Sequence, residues 1–209
     1  RGAGQRERAA AGGRSRFGLD DVQARLDALA ATHPVLVREA VPRAVSLPEL
    51  ADLLADLDRG GLGELALEAV LEAVVREARD LGAEERRERV RRRLADSITD
   101  LVAPDGRELP VAVLDDELED LLTGALGRTA SGPRLALGAR DAEPLREALE
   151  RAAREAPVLL VSPALRAAVE RFAAGLEPPV RVLAFTEIAD ASRLRVVERL
   201  GCPATALDA

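Results

Sequence analysis

Residues 156–172 read APVLLVSPALRAAVERF, and this stretch decides the fold. Val158 to Val161 is an unbroken apolar run of strand length. Ser162-Pro163 then punctuates it. Serine is favoured just before a helix, and proline suits the first turn, where its missing N–H costs nothing. From Pro163 to Leu176 the apolar positions recur at helical spacing. A strand that runs straight into a capped helix is half of a crossover unit, and it calls for a parallel strand on the far side. Val180 to Phe185 supplies that strand.

Outward from this unit the same texture continues. Leu109 to Leu114 reads as a strand, followed by an acidic helix start at Asp115-Asp116-Glu117, where negative charge meets the positive end of the helix dipole. Arg134 to Leu137 reads as a strand, Asp141 to Glu155 as a helix, and Leu194 to Val197 as a fifth strand. Upstream, the turn signal Ala103-Pro104-Asp105-Gly106 marks a change of pattern. From Phe17 to Val102 the periodicity is helical throughout. Val22, Leu26, Leu29 and Ala30 share one face, and His33-Pro34 starts a short helix to Val41. Ser46-Leu47-Pro48-Glu49 is a capping box that opens a helix ending at Gly60-Gly61. Two more helices are expected, Glu64 to Asp80 and Glu84 to Leu101, the second burying Val90, Leu94, Ile98 and Leu101. The predicted fold class is mixed: an all-α helical subdomain over residues 17–108, then a small α/β subdomain over 109–209 with a short, mostly parallel sheet. Residues 1–16, with five arginines and one glutamate, read as a disordered arm or linker. Starting at Arg1 with no Met anywhere, the chain reads as a piece of something longer.

The composition removes whole classes of function. All 30 basic residues are arginine, so no lysine is present for a phosphate loop or a Schiff base. His33 and Cys202 are the only residues of their types, which excludes a Cys/His zinc site and an internal disulfide. The only aromatics are Phe17, Phe172 and Phe185, and the net charge is −7; the stacking platforms of nucleic-acid binders are missing. No run is long and apolar enough to span a bilayer.

The residues with chemical potential each have a plainer role. Ser162 stands where an α/β-hydrolase keeps its nucleophile, but it lacks the flanking glycines and reads as a helix cap. His33 reads as a packed or capping side chain. Cys202 has no basic neighbour within three residues to stabilise a thiolate. Asp115, Asp116, Glu117, Glu119 and Asp120 form a solvated helix start, since a calcium loop needs alternating ligands and a turn glycine. Gly124, Gly127, Gly132 and Gly138 match no phosphate-cradling spacing. Arg86, Arg87, Arg89, Arg91, Arg92 and Arg93 read as an outer helix face, paired locally with Glu84, Glu85 and Glu88. No catalytic, cofactor-binding or metal-binding residue is expected.

Several stretches, in order, resemble the C-terminal cytoplasmic region of the flagellar and type III secretion export-gate family, the FHIPEP family. VQARLDALAATHPVLVREAVPRAVSLPELADLLADL resembles its helical subdomain, on His33, Pro34, Leu36, Val37, Glu39, Val41, Pro42, Leu47 and Leu50. ERVRRRLADSI resembles the family's E-x-V-R-x-x-L-x-x-x-I, on Glu88, Val90, Arg91, Leu94 and Ile98. APVLLVSPALRAAVERF and VRVLAFTEIADASRLRVVERLG resemble its last subdomain, on Pro157, Val158, Leu159, Leu160, Ser162, Pro163, Arg166, Glu187 and Ile188. Gly60-Gly61-Leu62-Gly63-Glu64-Leu65 replaces an arginine-containing family stretch, and Val182-Leu183-Ala184-Phe185 stands for its VLS-Tyr.

The resemblance implies a non-enzymatic piece of a bacterial protein-export gate, comprising the last two subdomains. The parent protein would carry an N-terminal membrane block and form a homo-oligomeric ring, a nonamer, at the cytoplasmic face of the inner membrane. That ring would receive export substrates, their chaperones and other export-apparatus components. The resemblance implies no cofactor and no nucleic acid, and does not separate a flagellar from a virulence-type system. Two other classes stand beside it: a stand-alone α/β enzyme or ligand-binding domain with a helical cap, and a helical adaptor unrelated to secretion.

Overall fold

A computed structural model describes residues 17–77, 81–129 and 132–202. The arm expected over 1–16 lies outside the described residues.

The first part is helical: α1 (Leu19–Ala30), α2 (Pro34–Ala40), α3 (Leu47–Arg59), α4 (Leu67–Glu77), α5 (Ala83–Arg93) and α6 (Ala95–Val102). The capping box at α3 forms as the sequence predicts. Ser46 Oγ accepts from the Glu49 N–H, and Glu49 Oε2 accepts from the Ser46 N–H at 3.0 Å. The far end closes with a Schellman motif: the Leu62 N–H reaches the Leu57 carbonyl at 2.8 Å and the Gly61 N–H the Asp58 carbonyl at 3.0 Å. Gly61 has φ +73, which suits glycine.

Two expectations need correction here. The single helix from Glu84 to Leu101 is two, α5 and α6, meeting at Leu94 (φ −83, ψ 7). The helix expected from Glu64 begins later, at Leu67, after a turn in which the Leu65 N–H bonds Leu62 O; its expected end, residues 78–80, lies outside the described residues.

The second part contains β1 (Leu109–Leu114), α7 (Asp116–Gly124), β2 (Leu126–Thr129), β3 (Gly132–Leu135), α8 (Ala139–Glu155), β4 (Val158–Val161), α9 (Pro163–Ala173), β5 (Arg181–Ala184) and β6 (Leu194–Leu200). The main sheet has the order β5-β4-β1-β6, and every neighbouring pair is parallel. The strand expected over Arg134 to Leu137 is not in this sheet. It is displaced to Gly132–Leu135 and pairs antiparallel with β2 in a hairpin.

Strand alternation explains how the two parts join. On one face of the sheet Leu109, Val111, Val113, Val158, Leu160 and Leu183 enter the same core as Leu26, Leu50, Leu57, Leu71, Val90 and Ile98. On the other face Ala112, Leu114, Leu159, Val161 and Val182 pack against α7, α8 and α9. The helical part therefore covers one side of the sheet; β1, β4 and β5 are buried on both faces, while the edge strand β6 is largely open to solvent.

Candidate functional site

The seam between the helical part and the α/β part carries a buried network of charges. α5 contributes Glu88 and Arg91, α9 contributes Arg166 and Glu170, and the 3₁₀ turn Phe185–Glu187 contributes Glu187. Arg91 Nε and Nη2 donate to Glu187 Oε1 and Oε2 at 2.8 and 3.0 Å, a two-pronged pair whose side chains are 0% and 1% exposed. Arg166 donates to both oxygens of Glu88 and, through Nη1, to Glu170 Oε2 at 2.8 Å. Glu187 Oε1 lies 3.5 Å from Arg166 Nε, so the two arginines share one acid. Burial opposes the Arg166 charge, but the hydrogen bonds and charges of Glu88, with Glu170 and Glu187, outweigh it and hold the guanidinium protonated more firmly than usual. Charges removed from water this completely persist only when paired and hydrogen-bonded.

Other bonds cross the same seam. The Thr99 hydroxyl donates to Ala95 O and accepts from the Ala189 N–H at 2.9 Å. Arg193, in the 3₁₀ turn Ala191–Arg193, donates to Ala103 O. A cavity of about 590 Å³ opens beside the network, walled by the end of α3, by α5, α9 and β5.

The arginine-rich helix is thus not the outer face that its sequence suggests. Arg87 and Arg89 do pair locally, with Glu84 at 3.2 Å and Glu85 at 3.2 Å. Arg91 is fully buried, Glu88 serves Arg166, and Arg86 reaches across to Glu49 at 3.0 Å. Sequence reasoning missed the network because its members lie 78 and 96 positions apart. One signal was available: Arg91 stands three before Leu94 and seven before Ile98, on the buried stripe of the helical pattern. The motif positions Glu88, Arg91, Arg166 and Glu187 all converge on this seam.

The residues considered for chemistry are held in structural roles. Ser162 occupies the N-cap of α9 and its carbonyl starts the helix, but its side chain makes no capping bond, contrary to expectation. His33 sits at the N-cap of α2 without a capping bond; Nδ1 is 2.8 Å from Thr32 Oγ1 and Nε2 3.1 Å from Glu68 Oε1. It is a surface partner of a glutamate rather than a packed side chain. Both partners lie in the helical part or beside it, so these contacts do not bring His33 to Ser162. Burial, reinforced by Asp115 and Glu117, pushes the Cys202 thiol up, away from thiolate chemistry.

The acidic helix start behaves as expected: Asp115 Oδ1 accepts from the Leu118 N–H at 2.8 Å, while Asp116, Glu117 and Asp120 face solvent. Asp115 also fills the carboxyl end of β1, where a β-carbon on Gly201 would lie 2.7 Å from its Oδ2. In open α/β sheets that end is the usual ligand crevice. Among the described residues no group of three or more His, Cys, Asp or Glu is placed to hold a metal. Gly127 and Gly132 belong to the β2–β3 hairpin, while Gly124 ends α7 and Gly138 precedes α8.

A model of the FHIPEP family matches residues 13–193. Flagellar biosynthesis protein FlhA of Yersinia enterocolitica is 32% identical over 188 residues, covering 88% of this chain and 27% of that protein. FlhA of Salmonella typhimurium is 31% identical over the same length and coverage. Among solved structures, the Shigella flexneri MxiA protein superposes with a TM-score of 0.72 at 25% identity, over 88% of this chain and 62% of that one. The nonameric SctV-C of EPEC gives 0.75 at 22% identity, over 88% and 57%, and shares the fold. The chain spans about a quarter of the length of the curated relatives it matches.

Proposed function

Because the chain belongs to the FHIPEP family, we propose that it forms the last two subdomains of the cytoplasmic region of a bacterial export gate, residues 17–108 and 109–209. In this reading the parent protein sits in the inner membrane and this part projects from its cytoplasmic face as one sector of a ring. It receives export substrates, their chaperones and other components of the export apparatus. Its work is mechanical and recognitional, with no reaction catalysed.

One observation carries the reading. The family match runs nearly end to end, and motif residues from three separated stretches, Glu88 with Arg91, Arg166, and Glu187, meet in one buried network. These positions join the two parts into one unit, as a rigid sector of a larger assembly needs. Among the described residues no helix is long and apolar enough to cross a membrane, so anchoring is assigned to other parts of the parent. SctV-C of EPEC, which shares the fold, is nonameric, and this supports the ring in the proposed reading.

The test is made in the host that carries the gene. The codons for residues 17–202 are deleted in frame, and secretion of flagellar or virulence substrates into the medium is measured. Loss of secretion, with the truncated protein still accumulating in the membrane, is expected. Unchanged secretion would overturn the proposal.

A further inference from the structure

The cavity beside the seam has two kinds of arginine in its wall. Arg59, Arg87 and Arg166 are each paired with an acid of the same wall, Asp56 at 2.9 Å, Glu84 at 3.2 Å and Glu170 at 2.8 Å. Behind the wall Arg91 is taken by Glu187, and Glu88 by Arg166. Arg171 and Arg181 are left. Among the described residues neither has a carboxylate within ion-pair distance: Arg171 donates to Pro133 O, and the Arg181 side chain donates to nothing. Once the exposed Glu64 is counted, which acts on Arg181 without pairing, the seam is close to neutral. Its acids are nevertheless committed elsewhere, while two guanidinium groups stay unmatched.

Arg181 is held in place by the backbone beneath it. A β-carbon on Gly61 would stand 2.8 Å from Arg181 Nε and 3.3 Å from Nη2, so the guanidinium lies on the bare turn that ends α3. Gly61 is needed there twice, for φ +73 and for this contact. The Arg181 N–H bonds Pro157 O at 3.0 Å, which fixes the start of β5 beside Pro179 and Val180. Arg181 is half-buried, and its Nε is sealed in without an acceptor, while the Nη atoms, also without partners, remain open. Burial pulls this guanidinium below its ordinary value, with only the Glu64 charge opposing. The other unpaired buried atoms of the seam, Arg91 Nη1, Asp56 Oδ2 and Glu170 Oε1, are sealed from solvent and offer a ligand nothing.

An open guanidinium edge is matched by a planar acceptor of single charge, which is a carboxylate. A dianion such as phosphate would be opposed by Asp56, Glu84 and Glu170 in the same wall. An ion pair at a half-exposed position is weak by itself, so a free carboxylate would not stay. It needs apolar neighbours that cover Pro157, Ala174, Pro179 and Val180, and a cavity of about 590 Å³ has room for them. We propose that this cavity is a docking site for an acidic segment of a partner protein, whose glutamate or aspartate pairs with Arg181 and is flanked by Arg171. Such docking requires no particular role in export, and so is independent of the function proposed above.

The test uses the whole chain with nitrogen-15 labelled arginine. The Nε–H signals of Arg171 and Arg181, identified through R171Q and R181Q, are followed by NMR during titration with a capped peptide carrying one glutamate between apolar residues. The Arg181 signal should move saturably. Affinity should fall about fivefold or more for the glutamine twin of the peptide and for R181Q, and stay unchanged in R92Q, which removes an exposed arginine outside the cavity. Equal binding of the glutamine twin, unchanged affinity in R181Q, or no saturable shift by about 10 mM peptide would overturn the proposal. So would acetate or inorganic phosphate binding as tightly as the peptide, since the site would then serve a free anion. If R181Q fails to fold, the wild-type Arg181 signal and the R171Q affinity decide the matter.

Discussion

Breaking the Arg91–Glu187 pair should weaken the seam between the two parts of the molecule about as much as truncating a fully buried apolar side chain of the sheet. The pair is 0% and 1% exposed and doubly hydrogen-bonded at 2.8 and 3.0 Å. Removing one member strands a charge that water cannot reach, which typically costs about 3–5 kcal/mol. The two single variants are not equivalent. After Arg91→Met, Glu187 still has Arg166 at 3.5 Å, so the loss should fall near 3 kcal/mol, the low end of that range. After Glu187→Met, Arg91 and Arg166 face each other without the acid they share, so the loss should approach 5 kcal/mol, the high end. The double variant replaces the pair by apolar side chains of similar length and should be milder than Glu187→Met alone, because a well-packed apolar pair often equals or exceeds a buried ion pair. Urea unfolding reads these differences directly. With an m-value of about 2 kcal/mol/M, a 4 kcal/mol loss moves the midpoint by roughly 2 M. If both single variants shift the midpoint by less than about 0.5 M, the pair is behaving as an exposed one, worth about 0–1 kcal/mol, and the seam is open in solution. If the double variant equals the sum of the singles, the two residues are not coupled and the geometry is wrong.

Three further outcomes follow from particular contacts. Asp115→Ala removes a real cap and should cost about 1 kcal/mol, whereas Ser162→Ala, at a cap position without a capping bond, should stay within about 0.5 kcal/mol; thermal or urea unfolding compares them. Residues 109–202 expressed alone should bind a hydrophobic dye and aggregate, because Val111, Val113, Val158, Leu160 and Leu183 lose their cover; a monodisperse, dye-silent fragment would show that the sheet face does not need the helices. On the proposed function, the chain alone should be mainly monomeric by light scattering at tens of micromolar, since tethering of the proposed parent would raise effective concentration and the chain carries a net charge of −7; a ring that survives high salt would contradict this.

Local physics was legible in the sequence wherever a short pattern decides the structure. The capping box at Ser46, the glycine stop at Gly60-Gly61 and the strands around Val111, Leu160 and Leu183 all appear where spacing and turn chemistry put them. The failures occur where tertiary contacts override a weak local signal. β2, Leu-Gly-Arg-Thr, has no alternation and is half exposed, so nothing in it announces a strand until β3 pairs with it. The break at Leu94 involves neither glycine nor proline, and it places Thr99 on α6 where its hydroxyl meets the Ala189 N–H.

The network illustrates why a site can be invisible even when every residue in it is noticed. In helix 83–93 the glutamates and arginines recur at three- and four-residue spacing, which is the signature of a solvated surface. That signature is also satisfied when one arginine of the set turns inward, because its neighbours keep the remaining face polar. Arg91 meets a carboxylate 96 positions later, on a 3₁₀ turn that directly follows β5 of the parallel sheet. The seam is therefore a product of the completed fold, not of any segment. Perturbing the sheet should weaken the charge network, and perturbing the network should free the helical layer from the sheet.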